Sequence, residues 1–118
     1  MKIVNPKKKF GQNFLKDISI ANQIVSLISV EKTKTIIEVG PGMGILTKEI
    51  LKIDKINKKF IELDIECCDY LLNNFSEIKK DLINDDFLKF DIKKYNPPVT
   101  IIGNFPYNIS SQILFKVF

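Results

Sequence analysis

Four short stretches of this 118-residue chain carry side chains whose types suit joint chemistry. The first is Ile101-Ile102-Gly103-Asn104-Phe105-Pro106-Tyr107, an apolar run that breaks into a polar, proline-fixed turn. Asn104 offers a carboxamide oxygen and an amide NH₂. Pro106 has no N–H, so only its carbonyl can bond, as an acceptor. Tyr107 supplies a flat π face. Two acceptors beside an aromatic plane suit a planar base carrying an exocyclic amine. A proline turn with a packed tyrosine is the structural alternative for these residues taken alone.

The second stretch is Gly40-Pro41-Gly42-Met43-Gly44, tighter than the G-x-G-x-x-G dinucleotide fingerprint. Glycines there let a ligand approach the backbone, but Ile45 stands where that fingerprint has its third glycine, which points away from a pyrophosphate cradle. Glu62, 22 residues after Gly40, strengthens a nucleoside reading, because a carboxylate there can accept both ribose hydroxyls. Asp64 competes for that role, although its position better suits a helix cap. Asp86 could accept the amino group of an adenine, with the Phe87 backbone reading the ring edge; its alternative is an ordinary turn aspartate.

The elements that must position these residues alternate. Asp17 is a good N-cap, and Ile18, Ala21, Ile24, Val25 and Ile28 recur at helical spacing. Thr35 to Val39 is nearly continuous in apolar character, as buried parallel strands are, and Ile45 to Ile53 make the next helix. Lys59 to Leu63 is a second strand, and Asp64 caps a helix with Ile65, Cys68, Leu72 and Phe75 facing inward. Lys79 to Ile83 is a weaker third strand ending at Asn84-Asp85-Asp86, and residues 87–98 are a polar connection closed by Pro97-Pro98. A fourth strand runs from Val99 to Ile102, with Asn104 to Tyr107 in the loop beyond it. Ser110 or Ser111 then starts a helix with Ile113, Leu114 and Val117 on its apolar face. Such alternation implies an α/β fold with a parallel sheet and right-handed crossovers. The glycine loop, Glu62, Asp86 and Asn104 would then end four successive strands on one rim, where open α/β sheets bind ligands. Phe118 ends the chain without a C-cap, and so apolar a last strand would leave a sticky sheet edge. The expectation is an N-terminal piece of something longer, or a chain that pairs with a partner.

Residues 1–16 hold five lysines and no acid, so the other 13 lysines and 14 acids sum to −1 against a net charge of +4. Lys7, Lys8 and Lys9 beside Phe10 make a basic arm of the kind that neutralises phosphates and stacks on unpaired bases; the alternative is a solvated tail. All 18 basic residues are lysine, so phosphate contacts would be point-charge contacts without arginine's fork. The chain has no histidine, which excludes Ser-His and Cys-His catalysis and leaves Cys67-Cys68 without a partner for a mixed metal site. The two cysteines read as helix packing residues. No run approaches the length needed to span a membrane, and the lysine-rich start lacks the apolar segment of a secretory signal, so a cytoplasmic location is expected.

The order of these motifs resembles that of the ribosomal RNA adenine N6-dimethyltransferases, the kasugamycin-sensitivity family acting on small-subunit RNA. Phe10-Gly11-Gln12-Asn13-Phe14-Leu15-Lys16-Asp17 resembles the family's opening motif, and Ile37-Glu38-Val39-Gly40-Pro41-Gly42 its S-adenosylmethionine loop. Ile61-Glu62-Leu63-Asp64 resembles the segment with the ribose-binding acid. Asn104-Phe105-Pro106-Tyr107 resembles the catalytic Asn-Leu-Pro-Tyr motif, with one apolar residue exchanged for another. The resemblance covers essentially the whole chain. It implies a Rossmann-like class I methyltransferase fold, cut after the fourth strand and its following helix. The rest of the sheet and a helical C-terminal RNA-binding domain would be absent.

By the same resemblance Asn13, Leu15, Gly40, Gly42, Glu62, Asp86 and Asn104 hold S-adenosylmethionine, and Asn104, Pro106 and Tyr107 serve the target base. The implied partner is small-subunit ribosomal RNA in the pre-30S particle, bound by a monomer with no metal and no membrane. The alternatives are the related large-subunit methyltransferase of macrolide resistance, and a non-catalytic RNA-binding or assembly factor with a retained donor pocket. A nicotinamide dehydrogenase is a remote third, disfavoured by the glycine spacing and the Asn-Phe-Pro-Tyr stretch.

Overall fold

Burial at every position makes Thr35–Val39 the central strand, β1, of a five-stranded sheet. In this computed structural model, which describes residues 18–107 and 110–117, β1 pairs in parallel on both sides. Its neighbours are β2 (Asn57–Ile61) and β4 (Val99–Tyr107). β3 (Leu82–Ile83) extends the sheet beyond β2 in parallel, and β5 (Ser110–Val117) pairs antiparallel with β4. The strand order is therefore β3-β2-β1-β4-β5. The chain steps outward from β1 through β2 to β3, then returns to the other side of β1 as β4. That reversal is a topological switch point, the place where open α/β sheets leave a crevice at their carboxyl ends.

The two-residue period of a strand sorts the core into two layers. Ile36, Phe60 and Ile102 share one cluster with Ala21 and Val25 of α1 (Ile18–Ser26), Leu46 and Ile50 of α2 (Ile45–Ile50), and Leu71 of α3 (Ile65–Asn74). Ile37, Val39, Ile61, Val99 and Ile101 form the other, covered by Phe87, Phe90, Ile92 and Tyr95 from the β3–β4 connection. All three helices thus lie on one face and the connection crosses the opposite one, as right-handed crossovers require. Each fully buried side chain of this kind contributes roughly 1.5–3 kcal/mol by leaving water.

Several boundaries differ from the sequence expectation. Residues 87–98 are a structured cover, with short 3₁₀ turns at Phe87–Lys89 and Ile92–Lys94 and stacked rings 6.4 Å apart for Phe87–Phe90 and 5.6 Å for Phe90–Tyr95. In α3 the Asp64 cap forms as expected, its side chain accepting from the Glu66 N–H at 2.8 Å. The buried face, however, is Cys67, Cys68 and Leu71, while Ile65 is 58% exposed and Leu72 36%. Cys68 and Phe75 of the expected stripe do face the core, while Cys67 and Leu71 take the places expected for Ile65 and Leu72, so both cysteines are buried.

The largest correction concerns the end of the chain. The loop expected at Asn104–Tyr107 is the second half of β4, and the helix expected from Ser110 is the strand β5. Pairing runs antiparallel from Thr100 with Val117 to Tyr107 with Ser110. The physical reason is the one that made the edge a liability. An unpaired apolar strand leaves a row of backbone donors and acceptors open, and a following segment carrying Ile113, Phe115 and Val117 satisfies them locally.

Candidate functional site

Register builds the rim. Val39 pairs with Ile61 and with Gly103, and Ile61 pairs with Ile83, so these four residues form one row across the sheet. The residues immediately after them are Gly40, Glu62, Asn84 and Asn104. Three of the four residues read from sequence as ligand contacts at strand ends therefore share one row, and Asp86 follows two positions past Asn84.

Glu62 is the electrostatic centre of this rim. Its side chain is buried, yet both carboxylate oxygens are held by main-chain donors: the Gly42 N–H reaches Oε1 at 2.9 Å and the Asp64 N–H reaches Oε2 at 3.1 Å. Burial raises the Glu62 carboxyl above the ordinary range, while the N–H groups of Asp64 and Gly42 pull it back. Asp64 is thus a cap, as its position suggested. The Gly40 N–H donates to Ile61 O at 2.8 Å, which docks the start of the loop on β2. Gly40 has a left-handed φ of 67°, and a side-chain atom added there would meet nothing within 4 Å. Open space therefore lies where the backbone comes nearest the rim. Gly44, at φ 87°, is different: an added Cβ would fall 2.3 Å from the Phe75 ring.

Sequence reasoning missed the buried acids Glu38 and Glu49, of which Glu38 stands two residues before the glycine loop. Glu38 lies on β1 facing the helices, fully enclosed, and accepts from the Thr47 hydroxyl of α2 at 2.5 Å. Burial pushes its carboxyl up to about 8, against the lowering effect of that hydrogen bond, with the Glu62 carboxylate adding to the rise. The available signal was an acid inside an otherwise apolar strand. Asn84 was read only as the end of a strand, and its contacts across to β2 depend on register.

Asp86 fulfils its structural alternative without losing its place on the rim. One oxygen accepts from the Leu88 N–H at 2.9 Å, capping the first 3₁₀ turn, and the residue stays partly accessible. Asn104, Pro106 and Tyr107 run along β4 just past its last pair with β1, Val39 with Gly103, and pair with β5. Asn13, Leu15, the arm residues Lys7, Lys8, Lys9 and Phe10, and the Asp17 cap lie outside the described residues. Among the described residues, no group of three or more His, Cys, Asp or Glu side chains is placed to hold a metal, and no helix is long and apolar enough to cross a membrane.

The model of the ribosomal RNA adenine dimethylase family matches residues 3–118. The chain belongs to that family. Among dimethylase relatives, the ribosomal RNA small subunit methyltransferase A of Parabacteroides distasonis is 48% identical over 99% of this chain and 44% of its own length. The protein of the same name from Flavobacterium johnsoniae is 48% identical over 98% of this chain and 45% of its own. The chain spans less than half the length of these curated relatives. Among solved structures, the 23S rRNA methyltransferase ErmE superposes with a TM-score of 0.66 at 28% identity, covering 82% of this chain and 39% of ErmE. The dimethylase assignment and this likeness together give the sheet its class, a Rossmann-like methyltransferase fold.

Proposed function

We propose that this chain is part of a small-subunit ribosomal RNA adenine N6-dimethyltransferase that uses S-adenosylmethionine and works in the cytoplasm, on rRNA in the maturing 30S particle. The observation that carries the reading is the row Gly40–Glu62–Asn84–Asn104 at the switch point, with Asp86 beside it. Relatives at 48% identity named for the small subunit support it over the large-subunit alternative that the ErmE likeness favours.

The residues present fit the donor. Each Glu62 oxygen takes one main-chain N–H and keeps acceptor capacity, which suits a ribose diol. The open space at Gly40 lets a nucleoside approach the backbone. Asp86 suits the adenine amine, and Gly42 supports the site through its bond to Glu62. Asn13 and Leu15 would complete the donor site from the N-terminal segment. When bound, the donor supplies an electrophilic methyl on a positively charged sulfur.

The target amine is a weak nucleophile because its lone pair is delocalised into the adenine ring. Asn104 and the Pro106 carbonyl accept its hydrogens and orient the lone pair, while Tyr107 stacks on a base already unpaired or splayed from its helix. Such chemistry runs on positioning and electrostatics rather than on a strong base. Lys7, Lys8, Lys9 and Phe10 would meet the RNA backbone and bases. In this reading the chain is the N-terminal part of the methyltransferase domain, and the full-length protein is a monomer with a helical RNA-binding domain beyond it.

The test is transfer of labelled methyl groups to unmethylated small-subunit particles and to large-subunit RNA, with the wild-type sequence and Asn104→Ala. Label on small-subunit adenosine N6, lost in the variant while the donor still binds, supports the proposal. Label on large-subunit RNA alone would establish the other methyltransferase, and unimpaired transfer by the variant would remove Asn104 from the mechanism.

A further inference from the structure

The β2–β3 ladder stops early, and a side chain extends it. β3 contains just Leu82 and Ile83, and its main-chain bonds to β2 end with the Glu62 N–H donating to Ile83 O at 2.9 Å. Beyond that point the carbonyls of Glu62 and Leu63 run past the end of the strand. Asn84 takes both: its amide Nδ2 donates to Glu62 O at 2.9 Å and to Leu63 O at 3.0 Å. The Cys68 thiol adds a longer contact to Glu62 O at 3.6 Å. The side chain between the buried Glu62 and Asp64 in this turn, Leu63, is 60% exposed and anchors nothing in the core.

We propose that Asn84 is a positioning residue for donor binding, clamping the turn after β2 so that the Glu62 carboxylate stays aimed at the rim. The inference rests on the reading of Glu62 as a donor ligand. Glu62 has its carboxylate fixed by the N–H groups of Gly42 and Asp64, and Asp64 lies in the same turn that Asn84 holds. Freeing the Glu62–Leu63 carbonyls therefore loosens the Asp64 anchor as well as the main chain of Glu62. Asn84 itself is exposed and belongs to neither hydrophobic cluster, so its replacement leaves the core intact. Asn84→Asp keeps the shape, removes both donors and turns lone pairs on two carbonyl oxygens; Asn84→Ala removes the donors without adding charge.

The experiment titrates S-adenosylmethionine calorimetrically into the full chain, Asn84→Ala, Asn84→Asp, Glu62→Ala and the Asn84→Ala/Glu62→Ala pair, across a pH series. Thermal melts of each report folding. Both Asn84 variants are expected to bind about tenfold more weakly than wild type, the size of one lost well-placed hydrogen bond. The double variant should bind no more weakly than Glu62→Ala alone, because a clamp without its carboxylate has nothing to aim. In Asn84→Ala, the pH midpoint of donor binding should move up, because the Asp64 N–H that pulls the Glu62 carboxyl down is loosened. Wild-type affinity in both folded Asn84 variants overturns the inference, as do losses that multiply in the double variant. If Asn84→Asp unfolds, the uncharged variant decides. A wild-type chain that does not bind the donor, or a Glu62→Ala variant that binds as wild type, overturns the donor-site reading and the clamp with it.

Discussion

The Gly42 N–H and Glu62 Oε1 lie 2.9 Å apart, tying the glycine loop after β1 to the acid after β2 through a buried hydrogen bond. Two segments 20 residues apart in sequence thus become one surface. Replacing Glu62 by Gln keeps its size but leaves one of the two N–H donors facing an NH₂ group. Hydrogen bonds to charged groups are worth about 1.5–3 kcal/mol, so S-adenosylmethionine affinity should fall roughly ten- to hundredfold by calorimetry. Unchanged affinity would remove Glu62 from the donor site.

Gly44 and Gly40 should respond differently to one added methyl. At Gly44 an alanine Cβ would collide with Phe75 at 2.3 Å while the backbone holds a φ of 87°. Left-handed strain and crowding together should cost about 2–4 kcal/mol in urea unfolding. At Gly40 there is strain but no collision, so Gly40→Ala should cost only about 1–2 kcal/mol while weakening donor binding more than Gly44→Ala does. The reverse ranking in both assays would contradict the placement of the loop.

Glu38 should make the protein more stable in mild acid than in mild alkali. Its folded-state value of about 8 lies above the ordinary 4.5, so between those limits the folded state holds a proton that the unfolded state has released. Stability then falls as pH rises through that window, by up to about 1.4 kcal/mol per pH unit from this group, and levels off above the folded value. Glu38→Gln should flatten the dependence in urea denaturation run across the window. A slope that persists in the variant would place its origin elsewhere.

Glu49 carries the opposite sign. Bonds from Asn22 Nδ2 at 3.0 Å and Lys52 Nζ at 3.1 Å hold its carboxyl below the usual 4.5, so its contribution is present above that value and is lost as pH falls through the folded one. Asn22→Ala removes a tie between α1 and α2 and should cost about 1 kcal/mol near neutrality and less in strong acid, measured by urea unfolding. A cost that grows on acidification would be inconsistent with an ionised Glu49 as the acceptor.

Local patterns carried the alternation of elements. The apolar run Thr35–Val39, the Asp64 cap and the glycine turn were legible because each depends on neighbours a few residues away. Glu62 and the glycine loop stood out for the same reason, as residue types at a defined spacing. The inward face of α3 was legible only in part, at Cys68 and Phe75, because which neighbouring positions meet the sheet depends on how the helix is rotated against it, which its start alone does not set.

What the sequence alone determined is therefore the class of fold and the inventory of the rim: Gly40, Glu62, Asp86 and Asn104 each follow a run that reads as a strand. Tertiary structure decided how that inventory is joined. Only parallel pairing in one register sets Gly40, Glu62, Asn84 and Asn104 side by side, and only enclosure by α2 raises the Glu38 carboxyl. Ser110–Val117 shows the same division, since a segment with helical spacing becomes a strand when the open edge of β4 lies two residues away. Hydrogen bonds between strands and desolvation of a charge both depend on what lies across space, and a one-dimensional pattern carries no information about that.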